Sequence, residues 1–248
     1  MTAEPGVGAA SPGGRPAAEL HDHHSDVSGG RLRPAVFGAM DGLVTNIALI
    51  AGVGGGGAGP RIIILTGVAG TLAGAISMAF GEYISVRTQN EQIAYEVRKE
   101  RREIATHPKA EQAELAKAWQ ARGLSADLAA AVAAELHRDP EEALRAHARE
   151  ELGVDPYEHP SPWAAGILSF LTFAVGAVIP LVSFLAGFDN LLLALGVGGL
   201  GLFGLGALVS RWTYQSWWFS GLRQLALGAA ATGVTYLVGS LIGVNGAI

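Results

Sequence analysis

The chain of 248 residues contains no cysteine. That absence excludes a disulfide framework and any thiolate metal site. Aromatic residues are also scarce, at 7%, which argues against a conventional water-soluble core. Neither paired intramembrane histidines for haem nor Glu-x-x-His pairs of the di-iron type are found, so a membrane oxidoreductase is disfavoured and no enzymatic activity is expected. The N-terminus lacks a compact basic–apolar–cleavage pattern, so no cleaved signal peptide is expected. Charge is nearly missing from long stretches. Of the acids and bases, 15 and 11 fall within residues 87–160.

What the chain does have is apolar residues, at 50%, and 35 glycines. That combination fits membrane helices packed through small residues. Five apolar segments, near 34–54, 60–86, 162–186, 190–210 and 221–244, approach the length a spanning helix needs. The predicted fold is an all-α membrane protein of five transmembrane helices. A helical, charged, cytoplasmic insert is expected between the second and third, which the resemblance given below implies to be metal-binding. The expected organisation is a disordered tail over 1–33, two spans over 34–86, the insert over 87–160, and three spans over 161–248. Gly54 to Gly57 and Pro60 separate the first two spans, Pro162 opens the third, and Pro180 lies inside it. Residues 211–221, with Trp212, Trp217 and Trp218, read as an interfacial connection. Placing the N-terminus and the insert in the cytoplasm leaves Arg61 alone, of 17 Lys and Arg residues, on the far side together with the C-terminus.

Asp41 is the most informative single residue. It lies within the apolar stretch 35–53, where a carboxylate costs about 2.5–3.5 kcal/mol on insertion scales. Such a residue usually marks an ion or proton path; the alternative is a structural Asp bonded to nearby backbone. Met78 and Glu82 stand one turn apart in the second span. A soft sulfur and two carboxylates at membrane depth suggest passage of a transition metal. Gly38 with Gly42, and Gly70 with Gly74, form GxxxG pairs, and Gly198, Gly201 and Gly204 recur in the fourth span. These spacings permit close helix approach within a subunit or across a dimer.

The second span runs on without Gly or Pro through a charged stretch, so one long helix is expected to project from the membrane until Pro108. Shorter helices should follow, broken at Gly123–Leu124–Ser125 and Asp139–Pro140, with Gly153 closing the last. Glu96, Glu100 and Glu103 share one helix face, as do Glu111 and Glu114, and His147 and Glu151 with Glu150 adjacent. Brought together they would form an oxygen-rich divalent-cation site. Spacing alone favours the other reading, solvated pairs with Arg98, Lys99, Arg101 and Arg102. His21, Asp22, His23 and His24 in the tail could capture metal loosely, though composition favours a solvated tail.

The stretches FGAMDGLVTNIALIAGV, GTLAGAISMAFGEYISVRTQNE, EVRKERREI and HAREELGVDP together resemble the vacuolar iron transporter family, over nearly all of residues 34–245. The resemblance implies a homodimer in a lipid bilayer that moves Fe²⁺, and often Mn²⁺, out of the cytoplasm in exchange for protons. Asp41 and Met78 match the family's membrane motif, with Glu82 a candidate second proton site. Glu100, Glu103, Glu111, Glu114 and Glu151 match the insert's metal-gathering glutamates. His147 and Glu150 are added as ligands from this chain's own spacing. Two departures stand out: Arg102 where a Glu is frequent, and His147 and Arg149 where a Met can occur. Fe²⁺ is expected as transported ion, with Mn²⁺ or Zn²⁺ as alternatives, and no prosthetic group or nucleic-acid partner. A bacterial plasma membrane is the expected location. A passive cation channel and a metal sensor without transport are the competing readings.

Overall fold

A computed structural model describes residues 32–213 and 215–245. The tail histidines and the C-terminal end lie outside the described residues. Within them the chain is helical, without strands. The elements are α1 (Leu32–Gly55), α2 (Pro60–Thr106), α3 (Pro108–Ala121), α4 (Ala126–Leu136), α5 (Pro140–His147) with a π-helical turn over Ala148–Leu152, α6 (Pro162–Leu185), α7 (Leu191–Thr213) and α8 (Trp217–Asn245). Five of these, α1, α2, α6, α7 and α8, are long and apolar enough to cross a membrane.

The membrane bundle is organised around α1, which packs against α2, α6, α7 and α8. Glycine makes this possible. A Cβ on Gly42 would collide with the backbone of Phe173, and one on Gly176 with the backbone of Ala39. The GxxxG pair around Asp41 is therefore consumed inside the chain, at the α1–α6 contact. Gly74 seats the Phe173 ring, and Gly198 and Gly201 seat Ile47 and Leu43 of α1. Gly204 meets open space. Leu43, Ile47 and Leu202 form one buried cluster, and Ile50, Ile63, Leu181 and Phe184 another.

Helix α6 continues through Pro180, which is fully buried. Its neighbourhood is tied by Asn46, which donates to the Ala177 carbonyl at 2.5 Å and to Thr71 Oγ1 at 3.2 Å. One buried amide thus joins α1, α2 and α6. The loop expected over 211–221 is shorter than predicted. Helix α7 runs to Thr213 and α8 starts at Trp217, because no breaker interrupts the chain there and Trp217 and Trp218 pack their rings against Phe203.

Helix α2 leaves the bundle as one unbroken 47-residue helix. It ends at His107, and Pro108 occupies the first turn of α3. Gly123, at φ +103°, allows the turn into α4. Asp139 caps α5 by accepting from Glu141 N–H at 2.8 Å, and Gly153 ends the π turn in the left-handed region at φ +65°. The insert has its own small cores: Val97 and Ile104 against Ala143 and Leu144, and Leu115 and Ala116 against Ala133. The Arg101–Glu141 ion pair at 3.0 Å fastens α5 to the projecting part of α2, and Tyr157 of the following loop donates to the same Glu141.

Candidate metal centre

The insert cores fix α2 and α5 side by side, and that fixes the site. Val97 and Ile104 turn toward α5, which leaves Glu100 at the seam between the two helices. From the other side comes His147, the last residue of α5 and fully buried. Its Nδ1 lies 3.0 Å from Glu100 Oε1 and 2.8 Å from Glu151 Oε1. One ligand atom from each of these three residues falls within 4.8 Å of the others. Two carboxylates and an imidazole this close together could share one divalent metal ion. The π turn that carries Glu151 is a local irregularity of the kind often found at functional sites.

The triad opens into a cavity of about 390 Å³ lined by Glu103, Glu111 and Glu114 with Glu96, Lys99 and Leu152. Its charge is dominated by carboxylates, with Lys99 the resident cation, 3.9 Å from Glu103. Burial, reinforced by the negative charges of Glu151, Glu111 and Glu103 and opposed by His147, pushes the Glu100 carboxyl up to about 7. Burial, and next the Glu114 charge, raises Glu111 as well. An arriving dication would relieve that repulsion and displace the proton.

Of the seven insert residues expected as ligands, Glu100, Glu103, Glu111, Glu114 and Glu151 line one cavity, and His147, fully buried, stands behind it against Glu100. The seventh, Glu150, does not join them: it is held by Arg122 at 2.6 Å, away from the triad. Arg102 lies outside the cavity lining and is exposed. Arg149 is engaged with Asp155 at 2.7 Å. Three further residues stand at the site. Glu96 lines the cavity, in keeping with the helix face it shares with Glu100 and Glu103. Lys99 lines it too. His137 meets the ring of His147 edge-on, with centroids 5.3 Å apart. Its Nδ1–H donates to the Ala133 carbonyl at 2.9 Å, and burial lowers its pKa.

In the membrane part, Asp41 is half-buried and accepts a long hydrogen bond from Thr45, at 3.4 Å on the same helix. Phe37 and Thr45, one turn to either side, are both exposed. This strip of α1 is the part its four neighbours leave uncovered. Met78 packs against Ala75, Phe173 and Ala177. Asp41 adjoins Gly42, which abuts the backbone of the same Phe173, so both candidate path residues are referenced to one residue of α6. Glu82 is half-buried one turn beyond Met78.

The family model described as the VIT family matches residues 32–240. The chain is 27% identical to vacuolar iron transporter 1 of Oryza sativa subsp. japonica over 226 residues, 89% of this chain and 90% of the rice protein. It is 36% identical to the vacuolar iron transporter of Acanthamoeba castellanii over 168 residues, 67% of this chain and 60% of the amoebal one. With vacuolar iron transporter 1 of Arabidopsis thaliana it shares 32% identity over 172 residues, 67% of this chain and 68% of that protein.

Proposed function

The chain belongs to the VIT family, and from that premise we propose that it is a transporter of Fe²⁺, with Mn²⁺ as a second cargo, moving metal out of the cytoplasm by proton antiport. The observation that carries the reading is the position of the triad. Glu100, His147 and Glu151 converge on the projecting end of the same helix that carries Met78 and Glu82 through the membrane. Collection and translocation are thereby built on one rigid element.

The acidic cavity concentrates divalent cations from the cytoplasm. Carboxylate and imidazole ligands suit first-row divalent metals, with geometry and availability setting the choice among them. The metal then moves to Met78 and Asp41, where a proton from the acidic side competes with it and expels it. Glu82 is the second proton site. Glu150 acts through its ion pair with Arg122 and is left out of the ligand set. The protein works as a transporter rather than an enzyme, and its membrane orientation has the insert and the N-terminus in the cytoplasm. In a plasma membrane that orientation exports metal; the relatives are named for the vacuole.

A homodimer completes the site. Asp41 lies on a strip of α1, between the exposed Phe37 and Thr45, that the described helices leave uncovered, and a carboxylate facing lipid at that depth is costly. A second copy seated on Phe37, Asp41 and Thr45 would pair the two carboxylates around one path.

The test is Fe²⁺ uptake into proteoliposomes of purified protein, with and without an inward-acid gradient, with lumenal pH read in parallel. Gradient-dependent uptake with proton efflux is the expected result. Uptake indifferent to the gradient would make the protein a channel. Metal binding without flux would make it a sensor.

A further inference from the structure

Helix α2 carries a second pattern that runs between the two ends of the site. Positions 78, 82, 85, 89, 92, 96, 100 and 103 follow one another at steps of three and four. At about 100° per residue these eight fall within roughly 40° of one line along the helix. Every one of them bears an oxygen or sulfur donor. Met78 and Glu82 lie at the membrane end, and Glu100 and Glu103 at the cavity. Between them stand Ser85, Gln89, Gln92 and Glu96.

The remaining faces of the same helix are used for other things. Ile76, Phe80 and Ile84 are exposed apolar side chains on the opposite side, where lipid is met. Ile93, Val97 and Ile104 pack against α5. Arg87, Arg98, Arg101 and Arg102 all fall on the far half of the helix. Two of them are tied down there, Arg87 by Glu91 at 2.8 Å and Arg101 by Glu141 at 3.0 Å. The donor line therefore carries no arginine over 25 residue steps, about 37 Å at helical rise; the cation on its half of the helix is Lys99, which lines the cavity 3.9 Å from Glu103. A solvated polar face would not explain the continuation of the line to Glu82 and Met78 inside the membrane.

We propose that this face of α2 is a track for the divalent cation between the cavity and the membrane path, with Glu96 as the hand-over ligand and Gln92, Gln89 and Ser85 as neutral oxygen steps. Glu96 fits the first role because its side chain already lines the cavity with Glu100. The neutral middle fits the second: conduction needs sites attractive enough to enter and weak enough to leave. Amide and hydroxyl oxygens meet that need where a further carboxylate would trap the ion. This inference rests on the transport reading above.

The deciding comparison is Glu96→Gln against Glu91→Gln. Each removes one carboxylate from the same stretch of α2, but from opposite faces. Initial Fe²⁺ uptake at subsaturating metal is measured in proteoliposomes of the full chain, and Fe²⁺ binding by the same preparations is titrated in detergent. Glu96→Gln should slow uptake about tenfold, the effect of losing one charge-assisted contact, while Glu91→Gln leaves it unchanged. The double variant Gln89→Leu/Gln92→Leu should slow uptake similarly while Fe²⁺ binding at the cavity persists, which also reports that it is folded. Equal effects of the two Glu variants, or normal uptake by the double Leu variant, would overturn the track while leaving the transporter intact. Absence of uptake by the unaltered protein would instead remove the transport reading, and the track with it.

Discussion

His147 holds its Nδ1 3.0 Å from Glu100 Oε1 while its ring is completely shielded from solvent. The two residues belong to different helices; Glu100 lines the acidic cavity and His147 backs it. Removing the imidazole therefore does two things at once. It deletes a proposed metal ligand, and it leaves a buried carboxylate without the imidazole 3.0 Å away. His147→Ala should weaken Fe²⁺ binding by about tenfold or more and destabilise the insert by about 1–3 kcal/mol. Glu150→Gln is the useful contrast, because Glu150 pairs with Arg122 instead. It should cost stability by up to about 1 kcal/mol and leave Fe²⁺ affinity nearly unchanged. Metal titration and denaturant unfolding of the two variants separate these effects, and a loss of affinity in Glu150→Gln would return that residue to the ligand set.

The pH dependence follows from Glu100. Its carboxyl is pushed up to about 7, by burial first and then by Glu151, whereas in the unfolded chain it titrates in the ordinary carboxylate range. Between those two values the folded state holds the extra proton, so the metal-free insert loses stability as pH rises from about 4.5 to 7, and levels off above that. Metal binding runs the other way. Below pH 7 the ion must displace the proton, and affinity falls as the solution is acidified; above pH 7 the carboxylate is already free. Thermal unfolding of metal-free protein and Fe²⁺ titrations across pH 5–8 should show these opposite trends. Glu100→Gln should flatten both. A metal-free protein that gains stability toward pH 7 would contradict the assignment.

Much of the architecture was legible because it rests on local physics. Five apolar runs predicted five spans, and the breaks at Pro108, Gly123, Asp139–Pro140 and Gly153 each sit at a helix boundary. The continuation of α2 past Arg87 was readable from the want of any breaker. The convergence of ligands was not, since Glu100 and His147 are 47 positions apart and meet only because Val97 and Ile104 pack against Ala143 and Leu144. Spacing alone favoured solvated pairs for these glutamates, and one such pair, Lys99 with Glu103, does form. Glu150 and Glu151 show the resolution limit of sequence: adjacent on a π turn, they turn to different partners, Arg122 and His147, and only one reaches the triad. The start of α8 was placed too late because the Trp217–Trp218 pair was read as an interfacial loop when its rings pack against Phe203.

Asn46 ties three membrane helices through one side chain, donating to Ala177 O and Thr71 Oγ1. The Ala177 carbonyl lies in the turn before Pro180, next to the Gly176 carbonyl that the proline leaves without its i+4 amide donor. Asn46→Leu should lower stability by about 0.6–1.7 kcal/mol, the range seen for interhelical hydrogen bonds in membranes. Asn46→Asp should be worse, because it places an unpaired charge in a fully buried position. Thermal unfolding in a fixed detergent orders the three proteins. Equal stability of all three would mean that packing around Phe173 and Leu181, and not the amide, holds the junction.

Asp41 presents the opposite case, a costly residue that makes no interhelical hydrogen bond or ion pair among the described residues. Its described hydrogen bond is the 3.4 Å contact from Thr45 on its own helix, and the neighbouring Gly42, not the carboxylate, makes the close approach to α6. Truncating Asp41 therefore removes no interhelical contact and relieves the cost of a carboxylate at membrane depth. Asp41→Ala should fold with stability within about 0.5 kcal/mol of the parent or above it. Fe²⁺ binding at the insert should be retained, because the triad is assembled from α2, α5 and the π turn alone. Uptake into proteoliposomes should nevertheless be abolished, and the proton counterflow with it. A residue kept for structure would give the reverse pattern, with lowered stability and flux reduced only in proportion to the folded fraction. Full transport by Asp41→Ala would remove the carboxylate from the path altogether.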